Sequence, residues 1–226
     1  MEILDGKKLS EQIKEEIKQA VILRKENQKK TPHLAAVIVG NDGASLTYVG
    51  SKVRSCEQVG FKSTLIRLES KITEEALLSK IRALNNDDTL DGYIVQLPLP
   101  KHINEGKILL AVDPKKDVDG FHPSNFGRMA LEMDSFIPAT PFGIMEMLRR
   151  YKIDVSGKHC VVIGRSHIVG RPISILMSQK NNPGNATVTL VHSRTKEIEK
   201  LTQKADIIIS ALGIPEFLKA DMVKDG

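Results

Sequence analysis

The chain has 226 residues, 41% hydrophobic and 27% charged, a composition typical of globular proteins with a substantial core. No run of 18 or more apolar residues is present and the N-terminal stretch mixes acids with bases, so we expect neither a membrane partner nor a signal peptide. The net charge is +5, but lysines alternate with glutamates and there is no Trp for base stacking. This pattern favours a small anionic ligand over a nucleic acid. The two cysteines, Cys56 and Cys160, lack metal-ligand spacing and fit a reducing, cytoplasmic setting.

The first half of the chain alternates between the periods of helices and strands. Predicted strands are His33–Val39, Lys62–Leu68 and Gly92–Gln96, and predicted helices are Leu9–Gln19, Ala44–Gln58, Glu74–Leu84 and Asn104–Val112. The run HLAAVIV is apolar throughout, which is typical of a strand buried on both faces. This alternation predicts an α/β fold with a parallel sheet and helices on both faces.

A loop rich in Asp, Gly and Pro follows at Asp113–Asn125 and separates this half from a second alternation. A helix from Pro141 to Tyr151, capped by Thr140, is predicted to link two lobes. Beyond it we predict strands at His159–Ile163, Thr187–Val191 and Ile207–Ser210, and helices at Arg171–Lys180 and Thr195–Lys204. We therefore expect two domains, residues 1–120 and 121–226. The second has only three strands and is expected to be C-terminally incomplete, because a dinucleotide-binding half needs more.

The turn after the fourth strand has the features of a phosphate-binding loop. Gly164 allows a sharp turn, and Gly170 allows the next helix to approach the sheet or a ligand closely. Free N–H groups at a helix start favour a pyrophosphate. Arg165 and Ser166 occupy the place of the middle glycine in G-x-G-x-x-G, so the turn could alternatively serve only to pack the helix.

The end of the next strand indicates which cofactor binds. Enzymes that use NAD place an acid there to hold the ribose hydroxyl, but this strand runs into His192, Ser193 and Arg194 without an acid. Two guanidiniums, those of Arg165 and Arg194, together with the Ser193 hydroxyl suit the 2′-phosphate of NADP. The alternative is that Arg194 only caps a surface.

The first half also contains polar residues that could take part in catalysis or ligand binding. Ser45, Tyr48 and Lys52 share one face of a predicted helix, at the edge of its apolar side, although most Tyr/Lys pairs at this spacing are surface contacts. Gln96 ends an apolar strand where ligands of open α/β sheets bind, and its alternative role is to satisfy loop backbone. Asp119 and Asp117 lie in the loop, where Asx turns would also explain them.

Taken together, these segments resemble the bifunctional methylenetetrahydrofolate dehydrogenase/methenyltetrahydrofolate cyclohydrolase family over essentially the whole chain. The segments that carry the resemblance are SLTYVGSK from Ser45, YIVQLPLP from Tyr93, PKKDVDGFH from Pro114, PATPFG from Pro138, GRSHIVGRP from Gly164 and HSRT from His192. The family fold has two α/β lobes with a cleft between them. The second lobe is a Rossmann-like NADP-binding domain, through which homodimers usually form.

The resemblance implies a role for each matching residue. Lys52 would be the central catalytic group, Gln96 would hydrogen-bond to Lys52, Tyr48 would lie over the aromatic part of the folate, and Asp119 would bind the pterin ring. Ser45 and Leu97 would contact the tetrahydrofolate substrate as well. NADP would be held by a separate set in the second domain: Gly164, Arg165, Ser166, Gly170, Ser193 and Arg194. The first domain would then be the folate-binding catalytic one.

The chain departs from the family pattern at two points. Ala139 stands where members often have Cys, and the glycine-rich P-G-G-V-G-P segment near the family's C-terminus is absent. Two alternatives to the bifunctional folate enzyme therefore stay open. One is another two-lobe NADP enzyme, such as a shikimate-type dehydrogenase, and the other is a truncated, non-catalytic chain that binds folate or NADP.

Overall fold

The fold is an alternation of strands and helices, seen in a computed structural model that describes residues 2–224 apart from the side chain of Ala44. The strands are β1 (His33–Val39), β2 (Lys62–Leu68), β3 (Gly92–Val95), β4 (His159–Ile163), β5 (Thr187–Val191) and β6 (Ile207–Ser210). The helices are α1 (Gly6–Glu26), α2 (Gly43–Val59), α3 (Glu74–Asn85), α4 (Glu105–Ala111), α5 (Pro123–Ala130), α6 (Ala139–Arg150), α7 (Gly170–Ser178) and α8 (Ile198–Thr202), and a 3₁₀ turn covers Ala220–Met222.

The strands form two parallel sheets with the same layout. Their orders are β2–β1–β3 and β5–β4–β6, so the first strand of each sheet is the central one. The chain divides by its internal contacts into two compact units, Met1–Ser124 and Asn125–Gly226, with one sheet in each. The predicted α/β class with parallel sheets is confirmed. In such a layout a crevice opens beside the central strand at its carboxyl end, where strand order reverses.

Strand β1 is buried on both faces because helices cover both sides of its sheet. Alternate residues along a strand point to opposite faces. Val37 belongs to a cluster with Leu77 and Ile81 of α3, whereas its neighbour Ile38 packs with Val49 of α2. The continuous apolar run of β1 is therefore explained by two separate cores.

Helix α2, which follows β1, has a well-defined start and end. The Asp42 carboxylate accepts a hydrogen bond from the backbone N–H of Ser45 at 2.8 Å, which satisfies one open donor of the first turn. Gly60 ends the helix in the left-handed region with φ 80°, a conformation that glycine adopts without steric cost. These signals fix how far α2 extends over the sheet and thus where its middle residues lie.

The second unit uses the same alternation around β4. Cys160 and Val162 pack in one cluster with α6 and α7, and Val161 and Ile163 pack in another with α8. Among residues 2–224, every helix is too short or too polar to span a lipid bilayer.

Two predictions about the middle of the chain are wrong. Helix α5 begins at Pro123, inside the segment predicted to be loop, because proline at the first helical position needs no hydrogen-bond partner for its nitrogen. Helix α6 begins at Ala139 after Pro138, with no side-chain cap, so Thr140 lies inside the helix rather than capping it. Helix α6 packs on α7 within the second unit.

Candidate active site

Three polar side chains of the first unit meet at the middle of α2. The ammonium nitrogen of Lys52 lies 3.4 Å from Oδ1 of Asp119 and 4.8 Å from the centroid of the Tyr48 ring. The Lys52 side chain is 30% exposed and that of Asp119 is 16% exposed, whereas Tyr48 is 53% exposed. A cation above an aromatic face is attracted by the ring quadrupole. The ammonium thus has a carboxylate and an aromatic face as neighbours while remaining accessible.

Apolar packing on one face of the sheet brings these residues together. Val49 of α2 is buried against Ile38 and Ile94, and Val118 packs against the same cluster. Because Asp119 directly follows Val118, this packing brings the carboxylate next to Lys52 although 67 positions separate the two in sequence. The ion pair is a product of the fold and not of local spacing.

The electrostatics of Asp119 differ from those of an ordinary surface carboxylate. Burial raises its pKa, because the charged form loses solvation, and the nearby Lys52 ammonium opposes that rise. The charge of Asp117 raises the pKa of Asp119 further. A carboxyl group in such surroundings can accept hydrogen bonds from N–H groups when charged, or donate one when protonated.

A cavity of about 460 Å³ opens beside this group. Tyr48, Lys52 and Asp119 line its polar part, and most of the remaining wall is apolar, including Ile94 and Val118. Binding sites for small molecules have volumes of roughly 300–1,000 Å³ and combine apolar walls with a few polar groups. The cavity therefore fits the ring system of a small organic ligand.

Gln96 lies at the carboxyl end of β3, next to the central strand. Its backbone N–H donates to Val37 O at 2.9 Å, and its side-chain Nε2 donates to Leu97 O at 2.6 Å. Within the described part of the chain, Gln96 Oε1 is buried with no hydrogen-bond partner, and no hydrogen bond joins Gln96 to Lys52. An unsatisfied buried acceptor is costly, so this oxygen is suited to receive a donor from a ligand or from a moved Lys52.

The two other residues predicted to contact substrate are less accessible. Ser45 is only 7% exposed and interacts with the Asp42 carboxylate at the start of α2, where both its backbone N–H and its side chain lower the pKa of Asp42. Leu97 is partly buried against the main core of the first unit. Their roles toward a ligand stay predictions.

In the second unit, two glycines shape the turn between β4 and α7. Gly164 has φ 111°, and a Cβ atom placed on it would lie 2.4 Å from Ala211 O. A Cβ atom on Gly170 would lie 2.0 Å from Gly164 O. Because contacts this short do not occur for real side chains, both glycines are required by backbone packing alone. The prediction that Gly170 permits close packing of the helix is thereby explained without a ligand.

The polar residues predicted to hold the cofactor lie at the same edge of the second sheet. Ile163 pairs with Val191, so the segments that follow β4 and β5 are neighbours. Ser166 Oγ accepts from the N–H groups of Val169 and Gly170 at 3.1 and 3.3 Å, so this hydroxyl also organises the turn. Arg165, Ser193 and Arg194 are exposed, as is Ser166. Neither guanidinium makes a hydrogen bond or ion pair within residues 2–224, so both are free to bind an anion.

Comparison with known proteins decides the family. Residues 4–119 match the catalytic domain of tetrahydrofolate dehydrogenase/cyclohydrolase, and residues 138–226 match the NAD(P)-binding domain of the same family. The chain belongs to this family. The bifunctional protein FolD of Flavobacterium johnsoniae is 71% identical over 226 residues, which are 100% of this chain and 77% of that protein.

Solved structures agree with the family. A bifunctional FolD methylenetetrahydrofolate dehydrogenase/cyclohydrolase from Campylobacter jejuni superposes with a TM-score of 0.95 at 45% identity, covering 100% of this chain and 79% of that one. The Trypanosoma brucei methylenetetrahydrofolate dehydrogenase-cyclohydrolase, complexed with NADP cofactor and inhibitor, has a TM-score of 0.91 at 33% identity, covering 98% of this chain and 75% of that one.

Family membership confirms the predicted enzyme class. This member of the tetrahydrofolate dehydrogenase/cyclohydrolase family is a methylenetetrahydrofolate dehydrogenase and methenyltetrahydrofolate cyclohydrolase, and its cofactor is a nicotinamide dinucleotide. The shikimate-type alternative is not supported. The residue roles are a separate matter, since they depend on the geometry of this chain.

The residues predicted for the site do not include those of the apolar wall of the cavity. Ile94 and Val118 belong to that wall. A signal was present, since Ala36 and Ile38 alternate with the core-facing residues of β1 and so predict a second apolar face under α2. Ile94 of β3 lies on that same face.

Proposed function

We propose that this chain oxidises 5,10-methylenetetrahydrofolate to the 5,10-methenyl form with NADP and hydrolyses the product to 10-formyltetrahydrofolate. The observation that carries the proposal is the Lys52–Asp119 pair beside the exposed Tyr48 ring, at the polar part of a cavity in the domain matched as catalytic. An ammonium, a partly buried carboxylate and an aromatic face suit a ligand that is itself an aromatic, nitrogen-rich ring system.

In the folate site, each side chain has a task suited to its chemistry. The Asp119 carboxylate accepts hydrogen bonds from the amino group and ring N–H of the pterin, and the Tyr48 ring stacks on the aminobenzoyl group. Gln96 Oε1, an acceptor that needs a donor, binds the Lys52 ammonium when substrate draws that ammonium away from Asp119. Ser45 and Leu97 complete the surroundings. The assignment of residues 1–120 to folate and of residues 121–226 to the cofactor is part of this proposal.

In the cofactor domain, the residues present fit a dinucleotide that carries a 2′-phosphate. The turn from Gly164 to Gly170, which includes Ser166, would place the pyrophosphate at the start of a nine-residue helix, where the positive end of the helix dipole favours an anion. Arg165, Ser193 and Arg194 hold the 2′-phosphate, because no acid near the end of β5 is available for the hydroxyl of NAD. When bound, the nicotinamide supplies the acceptor for the hydride.

Oxidation demands alignment more than proton transfer. A lone pair on a folate nitrogen drives the hydride off the methylene carbon, so the product is a cationic amidinium. Tyr48 and Asp119 serve this step by fixing the orientation of the folate, and correct alignment alone lowers a barrier by several kcal/mol. The apolar walls at Ile94 and Val118 limit access of water to the reacting carbon.

Hydrolysis is the step in which Lys52 acts chemically. Water adds to the amidinium carbon, a proton leaves the added oxygen, and a proton must reach the ring nitrogen as its bond to that carbon breaks. Lys52 is placed to move these protons, because its ammonium is partly exposed and lies beside Asp119 and the Tyr48 ring. Positioned acid–base groups contribute roughly 100- to 10,000-fold to such steps.

The cellular setting and assembly are further parts of the proposal. The enzyme works in the cytoplasm as a homodimer formed through the cofactor domain, on small-molecule substrates and without nucleic acid or membrane. Both cysteines are free thiols, which suits a reducing setting; Cys160 is buried and Cys56 is half-buried, and burial raises the pKa of both thiols.

A direct assay tests the proposal. The purified chain is mixed with methylenetetrahydrofolate and NADP, and NADPH and the methenyl product are followed at separate wavelengths, with shikimate as the control substrate. Saturable NADPH formation with methylenetetrahydrofolate but not with shikimate supports it. Calorimetric binding of tetrahydrofolate without turnover favours the non-catalytic alternative. The absence of both binding and turnover would refute the proposal.

A further inference from the structure

The segment that carries Asp119 is held by a second carboxylate two positions earlier. Asp117 is 5% exposed. Its Oδ1 accepts from the backbone N–H of Phe121 at 3.2 Å, and its Oδ2 accepts from the N–H of His122 at 2.8 Å. Each oxygen of one buried side chain therefore binds a different donor, and both donors lie beyond Asp119 in the chain.

The opposite side of the segment is fixed to the sheet and to α3. Tyr93 N donates to Lys116 O at 2.9 Å, and Lys116 Nζ donates to Leu84 O and Asp87 O at 3.0 and 2.7 Å. Strand β3 also comes unusually close, since a Cβ atom on Gly92 would lie 2.2 Å from a methyl carbon of Val118. The chain is thus immobilised up to residue 118.

Between these two attachments the chain reverses direction at Asp119. Gly120 has φ 68°, and its N–H donates to Asp117 O at 3.0 Å. Asp117 therefore receives bonds from residues 120, 121 and 122, which closes a short loop around Asp119. If the carboxylate were lost, the return half of this loop would lose two of its three ties, while Lys116 would still hold the other half.

We propose that Asp117 is the positioning residue that sets where the Asp119 carboxylate stands relative to Lys52 and the folate ring. This inference depends on the proposed role of Asp119 as a folate ligand. Asp117 acts through the loop and does not touch the substrate. An aspartate is suited to the task because its two oxygens match two N–H donors, whereas asparagine has one oxygen and would turn an NH₂ group toward the second donor.

The charge of Asp117 also bears on its role. Two carboxylates held near each other with little solvent repel, and Asp117 raises the pKa of Asp119. The charged groups that act on Asp119 are Lys52 and Asp117. A carboxylate that served only to bind two backbone donors would be expected away from Asp119, where it would not raise the pKa of that residue. Its position beside Asp119 is explained if the loop has to be closed around Asp119.

The test is Asp117→Asn in the whole chain. We expect KM for methylenetetrahydrofolate to rise about tenfold or more, because the loss of one hydrogen bond in a buried loop displaces Asp119, with KM for NADP within about twofold of wild type. The acidic limb of the profile of kcat/KM against pH should move to lower pH, because removing the Asp117 charge lowers the pKa of Asp119. The matched control is Ile81→Val, which weakens the core on the other face of the same sheet and should change neither quantity.

Two further measurements separate the possible failures. If Asp119→Asn binds tetrahydrofolate as tightly as wild type does, the proposed folate site is wrong. If Asp119→Asn binds it weakly but folded Asp117→Asn has the wild-type KM and pH profile, only the positioning role of Asp117 is wrong. Should Asp117→Asn not fold, amide hydrogen exchange of the wild-type chain decides. Slow exchange at Phe121 and His122, slowed further by tetrahydrofolate but not by NADP, supports the proposal, and exchange at the rate of an open loop overturns it.

Discussion

Lys52 and Asp119 form an ion pair with 3.4 Å between the ammonium nitrogen and Oδ1, although they come from segments 67 positions apart. The pair is neither fully exposed nor fully buried, since the lysine side chain is 30% exposed and the aspartate 16%. Exposed pairs contribute little to stability, about 0–1 kcal/mol, and buried ones incur a desolvation cost. An intermediate position of this kind makes sense for groups that exchange partners when a ligand arrives.

Lys52→Met should remove hydrolysis of methenyltetrahydrofolate while leaving the fold intact. A methionine of similar length keeps the packing on α2 but cannot carry a proton, so we expect a loss of about 100-fold or more in the cyclohydrolase rate. The decay of methenyltetrahydrofolate absorbance measures it. Lys80→Met, on the exposed face of α3, is the matched control and should leave the rate unchanged. A wild-type rate in Lys52→Met would exclude the lysine from the mechanism.

Asp119→Asn should weaken folate binding yet stabilise the protein at neutral pH. The pKa of Asp119 is raised in the folded state, so the native protein binds more protons than the unfolded one between the ordinary value of 3.8 and the raised value. Stability of the wild type therefore falls as pH rises through that window, and asparagine avoids the loss. Urea unfolding at pH 7 should show the variant as the more stable protein, with the gain shrinking as pH falls toward 3.8.

The control variant for the urea experiment, Asp206→Asn, should change the stability at pH 7 in the opposite direction. Hydrogen bonds from Lys224 and the N–H of His159 lower the pKa of Asp206, so its stabilising effect is present above the ordinary value and is lost as pH falls. Asp206→Asn should therefore destabilise the protein at pH 7.

Tetrahydrofolate binding by Asp119→Asn should be roughly 10- to 100-fold weaker, as hydrogen bonds to a charged group contribute about 1.5–3 kcal/mol. Unfolding curves of Asp119→Asn and wild type that coincide at pH 7 would contradict the assigned burial effect.

Arg165→Ala combined with Arg194→Ala should lower the preference for NADP over NAD by about a hundredfold, because two charge-assisted hydrogen bonds to the 2′-phosphate are lost. The ratio of kcat/KM values for the two cofactors is the relevant measurement, and KM for methylenetetrahydrofolate should stay constant. Arg67→Ala, an exposed arginine of β2, is the control. An unchanged ratio in the double variant would mean that the 2′-phosphate binds elsewhere.

Gly170→Ala should destabilise the second unit and impair cofactor binding, since its Cβ atom would lie 2.0 Å from Gly164 O and the backbone would have to move. Gly143→Ala is the matched control, because that glycine is also helical but has open space around its Cβ position. There we expect a gain of about 0.4–1 kcal/mol from the reduced freedom of the unfolded chain. Thermal unfolding and NADP titration measure both variants, and equal effects would contradict the packing argument.

The sequence predicts the strands better than the site. β1, β2, β4, β5 and β6 occupy the predicted residues, because apolar runs bounded by turn residues, and the alternation seen in β2, have few other interpretations. The ends of the helices are less well predicted, and α5 is missed because its eight residues include the proline, serine and asparagine that are typical of turns.

One contact of the candidate site could not be predicted from the sequence. Spacing on α2 places Tyr48 and Lys52 together, but nothing in the sequence states that Asp119 lies beside them, because that contact depends on how Val118 packs under α2. The sequence alone is compatible with an Asx turn at either aspartate. In the structure it applies to Asp117, which binds the backbone, and not to Asp119, whose carboxylate pairs with Lys52.

The position of β1 in the middle of its sheet has a consequence for tolerance to mutation. β2 and β3 each pair with β1 and not with each other, so β1 is the template on which both outer strands assemble. A mutation that disrupts β2 breaks the hydrogen bonds of one strand pairing. A mutation that disrupts β1 breaks those of two pairings and also removes the layer between the helices on the two faces. The same asymmetry holds for β4 in the second unit, so the strands of this enzyme that are hardest to replace are the two central ones.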